Sequence, residues 1–189
     1  MAPDQPIFYY DLGSPCCYLV AERIMAELPV VPEWEPVLGS GLGPPQPPPD
    51  PEALARAVAG HGLQPLRLPA RWPPDTERAM LAATYAKHVG RAVAFSLAAF
   101  RQAFAGGRDL GDEGTVLIAG AACEMHPTAL LKAMSMRSVT ASLERATTQA
   151  HDAGIGALPA IAAGGELWQG PDSLERAVAA LERVRERAG

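Results

Sequence analysis

Segments with strand character stand only at the two ends of this 189-residue chain, and everything between them reads as helix or linker. Pro6-Ile7-Phe8-Tyr9-Tyr10-Asp11 is short, apolar and aromatic, and Gly13-Ser14-Pro15 punctuates it, which is the pattern of a buried strand entering a turn. Val30 to Leu38 is a second extended segment, broken by Pro32 and Pro36 and therefore suited to an edge or irregular strand. Near the other terminus, Ala157 to Ala162 and Glu166 to Gln169 flank Gly164-Gly165 as a hairpin. Strands placed this way are most simply satisfied in one α/β core whose chain is interrupted by a helical insertion.

The helices are marked by spacing and by their stops. From Cys17 to Leu28 the apolar residues Tyr18, Leu19, Ala21, Ile24, Met25 and Leu28 recur at helical spacing, with Pro15 suited to the first turn and Pro29 to the end. Further helices are predicted over Pro51–Ala59, from an Asp75-Thr76 cap to Val89, and over Ala92–Phe104, Asp112–Ala121, Pro127–Met134 and Val139–Ala153. A last helix opens at Pro171-Asp172-Ser173, with Asp172 as cap and Glu175 three residues on, and runs to the terminus with Leu174, Val178, Leu181 and Val184 on one face. Between Gly39 and Pro51 the stretch GSGLGPPQPPPDP is a linker; it lacks the last glycine of a phosphate-binding GxGxxG and runs into prolines instead of a helix. The expected division is an α/β domain of residues 1–40 and 136–189 around a helical insertion of residues 41–135.

Composition narrows the function classes. With 48% apolar residues the chain can bury a core without disulfides, and three cysteines, two of them adjacent, cannot build a secreted disulfide framework. A formal charge of −5 without a basic block argues against a nucleic-acid groove or a polybasic membrane anchor. The first ten residues, MAPDQPIFYY, lack a charged region followed by an apolar one, and no membrane-length apolar run occurs, so a cytoplasmic protein without membrane or nucleic-acid partners is expected.

Ser14-Pro15-Cys16-Cys17 at the strand-to-helix turn is the sharpest chemical signal, because free N–H groups and the helix dipole at such a position favour a negative group such as a thiolate. Helix capping alone also explains a serine before Pro15. Leu158-Pro159, after a glycine-rich turn and before a strand, is a rigid backbone corner of the kind that is occasionally cis. His61, His88, His126 and His151 are scattered, Glu124-Met125-His126 is not HExxH, and no GxSxG occurs, so neither a metal site nor a nucleophile elbow is expected. Phe95, Leu97, Phe100 and Phe104 read as insertion core, Cys17 and Cys123 as small buried hydrophobes, and Trp168 as a candidate wall beside the thiol site.

Four patches carry a family resemblance. Phe8-Tyr9-Tyr10-Asp11-Leu12-Gly13-Ser14-Pro15-Cys16-Cys17-Tyr18-Leu19 resembles an FYxDxxSPxxYL start, and Pro74-Asp75-Thr76 an Asn-Ser-like helix start. Gly154-Ile155-Gly156-Ala157-Leu158-Pro159 resembles a G-V-x-G-V-P approach to a cis-proline, and Leu167-Trp168-Gln169-Gly170-Pro171-Asp172 a W-x-G-x-D segment. With the order of elements, they resemble the DsbA-like branch of the thioredoxin superfamily, specifically its 2-hydroxychromene-2-carboxylate isomerases and kappa-class glutathione transferases. The resemblance implies a thioredoxin-like α/β fold with an inserted all-helical domain. It also implies a glutathione-dependent isomerase or transferase of aromatic compound catabolism, acting on an aromatic or conjugated small molecule. Ser14 would donate to the sulfur of glutathione, or of another low-molecular-weight thiol, and favour its thiolate. Leu158 would pair its backbone with the cysteinyl unit ahead of a cis Pro159, and Asp172 would meet the γ-glutamyl amino group. Proteins of this type are commonly dimers, so a homodimer is the expectation. The same superfamily contains disulfide oxidoreductases built on Cys-x-x-Cys; here Ser14 takes the first position and Cys17 the second, so a redox alternative would run through Cys16 or Cys17.

Overall fold

The computed structural model describes residues 5–44 and 47–188. The first four residues of the stretch read for a leader, two residues of the proline-rich linker and the C-terminal residue of the last predicted helix lie outside the described residues. The elements are β1 (Ile7–Tyr10), α1 (Pro15–Glu27), β2 (Glu33–Pro36), α2 (Pro51–Gly60), α3 (Glu77–His88), α4 (Ala92–Phe100), α5 (Glu113–Ala121), α6 (Pro127–Met134), α7 (Arg137–Asp152), β3 (Ala160–Ala163), β4 (Glu166–Gln169) and α8 (Ser173–Ala188). Among the described residues no helix is long and apolar enough to cross a membrane.

The two ends of the chain do meet in one sheet, ordered β2-β1-β3-β4. β2 is parallel to β1, and β3 and β4 follow as antiparallel strands. Pro32 falls just before β2, and Pro36 within it is tolerated because β2 is an edge strand, where a missing ladder donor faces no partner. Tyr9 pairs with Ala160, so the register carried on past the strand ends brings Asp11 opposite Leu158. That juxtaposition joins the turn before α1 to the corner before β3.

The core is continuous from the sheet into the helices. Phe8, Tyr10 and Trp34 pack on one another, and Phe100 reaches Tyr10 with ring centroids 5.9 Å apart. The buried Tyr10 hydroxyl is satisfied by Ser96 Oγ at 2.6 Å. Phe95, Phe100 and Phe104 are buried as expected, although they belong to a core shared with β1 and α1 and not to the insertion alone. The helix predicted to Phe104 changes pitch after Phe100. Residues Arg101–Ala105 form a π turn, closed by the Gly106 amide on the Arg101 carbonyl at 2.8 Å. The wider turn lets Phe100 and Phe104 both face Tyr18, at 6.0 and 5.6 Å.

α1 and α8 are joined through Arg23, a largely buried side chain whose Nη1 donates to Glu175 Oε1 at 2.8 Å and meets His61 Nδ1 at 3.1 Å. Glu175, expected to fold back on the cap of α8, is thus directed to Arg23. Trp168, expected as a wall of the thiol site, is instead 7% exposed and packed in the core, where it pairs with Ile161.

The glycines of the linker serve close packing. After β2 the chain makes a short 3-10 turn, Gly39–Gly41, against α7. Thr147 of α7 accepts from the Leu38 amide at 3.0 Å and donates to the Leu143 carbonyl at 2.9 Å, so its hydroxyl fixes its rotamer. A Cβ on Gly41 would lie 2.5 Å from Thr147 Cγ2. Gly41→Ala is therefore expected to cost about 1–3 kcal/mol of unfolding free energy through overpacking. Adding Thr147→Ser, which removes Cγ2 and keeps Oγ, should recover most of the loss in denaturant titrations; an unaffected single variant would contradict the close approach.

Candidate active site

The site is assembled at the C-terminal end of β1. Ser14 caps α1 in an extended conformation, its Oγ accepting from the Cys17 amide at 3.2 Å, with Pro15 in the first turn. The capping bond uses an oxygen lone pair and not the hydroxyl proton, and the same hydroxyl lies within hydrogen-bonding reach of the Cys17 thiol. The helix start also supplies partial positive charge where a developing anion would sit.

Asp11 organises the surroundings. Its Oδ1 accepts from the Gly13 amide at 2.8 Å and from Thr76 Oγ1 at 3.1 Å, and its Oδ2 accepts from the Gly39 amide at 2.8 Å. One carboxylate therefore fastens three segments: the turn before α1, the chain leaving β2, and the start of α3. Burial pushes the Asp11 carboxyl above its ordinary range, against the three hydrogen bonds that favour the anion. Space is short at both amide positions: a Cβ at Gly13 would lie 2.9 Å from Thr76 Cγ2 and 3.0 Å from Pro74 Cγ, so something must shift, and one at Gly39 would press on Asp11 Oδ2 at 3.3 Å. Thr76 occupies the cap of α3 as expected and makes no side-chain cap bond there; its hydroxyl instead donates to Asp11.

Leu158-Pro159 is cis, and so is Trp72-Pro73 in the segment that packs on Gly13 through Pro74. Leu158 Cδ1 lies 3.8 Å from the Cβ position of Gly39, beside Asp11. Among the described residues the Leu158 amide and carbonyl make no hydrogen bond, whereas the Pro159 carbonyl accepts from Gly170 at 2.9 Å. Asp172 follows Gly170 by two residues; it is exposed and stands 3.7 Å from Arg176. Beside it, Ser173 Oγ is buried without a partner among the described residues.

Ser14 and Leu158 are thus brought to one strand end through Asp11, and the segment before Asp172 is tied to Pro159 by Gly170; Asp11 and Thr76 lie in patches read from sequence but were not assigned to the site there. The signal for Asp11 was local: an Asp two residues before a glycine at a turn makes this side-chain-to-amide bond. Its partnership with Gly39 and Thr76 had no local signal. Cys16 is half-buried and Cys17 is fully buried. Burial pushes both thiols up, and hydrogen bonding to Ser14 does not offset this for Cys17. No group of three or more metal-ligating side chains is gathered among the described residues. Two surface clefts, of about 260 Å³ beside α2 and about 740 Å³ between β2 and α4, include none of Ser14, Leu158 and Asp172.

Residues 52–182 match the sequence profile of the DSBA-like thioredoxin domain, a span that begins after Ser14. Among solved structures, 2-hydroxychromene-2-carboxylate isomerase superposes with a TM-score of 0.84 over 97% of each chain at 19% identity. A probable DsbA oxidoreductase from Streptomyces coelicolor gives 0.75 over 95% of this chain and 88% of that one at 16% identity. DsbA of Pseudomonas aeruginosa gives 0.60 over 98% and 88% at 14% identity. No curated protein matches the chain by sequence. At these identities the likeness is one of fold, a DsbA-like thioredoxin arrangement.

Proposed function

Since the chain belongs to the DSBA-like thioredoxin domain family, we propose that it is a glutathione-dependent isomerase of the 2-hydroxychromene-2-carboxylate isomerase type, acting on an aromatic or conjugated small molecule. The observation that carries this reading is a hydroxyl, not a thiol, at the cap of α1, together with a Leu158 backbone that is unpaired among the described residues, ahead of Pro159 and opposite Asp11 in register, three residues before that hydroxyl. The residues present fit a peptide-like thiol. Ser14 has a proton to donate to a sulfur, the Leu158 amide and carbonyl are free for β-type pairing, and the exposed Asp172 carboxylate at the start of α8 suits an ammonium group. When bound, glutathione would supply a nucleophile for reversible addition to a conjugated double bond, which allows rotation before elimination. The chain's own task is to hold the sulfur ionised by one hydroxyl and one helix terminus, and to fix its direction by the Leu158 edge.

The competing reading is a thiol–disulfide oxidoreductase, and it would run through Cys16, since Cys17 is buried. A raised thiol pKa lowers the thiolate fraction at neutral pH, so Cys16 and Cys17 should alkylate more slowly than a free cysteine and accelerate as pH rises. The test pairs two assays on the wild type and Cys16→Ala. Isomerisation of 2-hydroxychromene-2-carboxylate that saturates with glutathione and survives Cys16→Ala supports the proposal. Rapid neutral alkylation of Cys16, with disulfide reduction lost in Cys16→Ala and no isomerisation, would replace it with the oxidoreductase.

A further inference from the structure

The loop leading to the cis peptide at Pro159 is held by one side chain. Gln169 ends β4 and pairs in register with Ala160. Its Oε1 accepts from the Gly156 amide at 2.8 Å and the Ala157 amide at 3.0 Å, while its Nε2 donates to the Gly154 carbonyl at 3.0 Å. Gly154 turns the chain there with φ +87, a conformation that favours glycine. On the far side of Leu158, the Pro159 carbonyl is fastened by Gly170, the residue next to Gln169. Leu158 therefore lies between two anchored points, both fixed from the end of β4, with its own amide and carbonyl unpaired among the described residues.

A carboxamide suits this position. One oxygen with two lone pairs satisfies two amides, and the adjacent NH₂ satisfies a carbonyl. A carboxylate would keep the two amides and repel the carbonyl; an apolar side chain would release all three groups. Freed, Gly156 and Ala157 could turn their amides elsewhere, and the Leu158 groups would lose the orientation that a β-type pair needs, since hydrogen bonds weaken steeply with misalignment.

We propose that Gln169 is a positioning residue for the thiol site: it aims the Leu158 amide and carbonyl at a peptide-like thiol without touching that thiol. This rests on the assignment of Ser14 and Leu158 to glutathione binding. The test is glutathione titration combined with amide hydrogen exchange on the wild type, Gln169→Met and Gln169→Glu, with thermal unfolding followed alongside. In Gln169→Met, exchange at Gly156 and Ala157 should accelerate at least about tenfold, and glutathione affinity should fall about tenfold. Gln169→Glu should keep both amides protected and bind with intermediate affinity, a graded rescue that a loss of general stability does not produce. If Gln169→Met does not fold, Gln169→Glu carries the test alone, with weakened binding expected despite protected amides. Unchanged exchange at Gly156 and Ala157, or wild-type affinity in a variant whose amides have been released, overturns the proposal. A wild type that binds no glutathione, with the amides still released in Gln169→Met, overturns the thiol assignment and with it this role, and leaves the clamp as architecture only.

Discussion

Ser14→Ala is expected to lower glutathione-dependent turnover by about 10- to 100-fold, because a hydrogen bond to a charged acceptor is worth about 1.5–3 kcal/mol. The fold should survive. Ser14 gives α1 one cap bond, to the Cys17 amide, and losing it costs about 1 kcal/mol while Pro15 still starts the helix. The pH dependence separates a lost donor from a damaged scaffold. Without the hydroxyl the bound thiol ionises at higher pH, so the variant should regain activity as pH rises and approach the wild type in alkaline buffer. Ser14→Thr, which retains a hydroxyl and a capping oxygen, should keep most of the rate. A uniform loss at every pH would mean that Ser14 is only a helix cap.

The second large effect is expected at Asp11. Asp11→Ala strands the Gly13 and Gly39 amides and the Thr76 hydroxyl together, and leaving partly buried donors unpaired should cost about 3–5 kcal/mol in total. Both the turn that presents Ser14 and the start of α3 would loosen, so thiol affinity should fall along with the unfolding free energy. The pH dependence has a definite sign. The folded-state pKa of Asp11 is raised, so its contribution is fully present below the ordinary carboxylate range and is lost as pH rises through the raised value. Wild type should therefore gain stability relative to Asp11→Asn as the solution is acidified through that window. Denaturant titrations across a pH series would read this directly, and a constant difference between the two proteins would contradict a raised carboxyl.

What the sequence made legible was periodic or local. The aromatic run before Gly13 reads as a strand and the spacing of Tyr18, Ala21, Ile24 and Leu28 reads as a helix, and both elements stand where expected within a few residues. Ser14 and Leu158-Pro159 were visible because each sits at a junction between two such patterns. The π turn was not visible, since Arg101 to Ala105 has the composition of ordinary helix, and the packing of Phe104 on Tyr18 that accompanies the widening is a tertiary contact. The glycines at 39 and 41 looked like linker composition, whereas one bonds Asp11 and the other leaves room for Thr147. Asp11 and Gln169 act through partners distant in the chain, which only strand register and helix packing bring near; a lone carboxylate or carboxamide carries no such information. Glu175 shows the converse, a residue with a local capping pattern that tertiary packing redirects to Arg23.

The central claim is that a thiol is bound and held ionised at Ser14, and calorimetric titration of glutathione into the wild type and Ser14→Ala tests it most directly. The account predicts saturable binding by the wild type, release of a proton as the thiol ionises, and affinity weakened about tenfold or more in the variant with its proton release diminished. Absence of binding to the wild type, or equal affinity and equal proton release in both proteins, would contradict it.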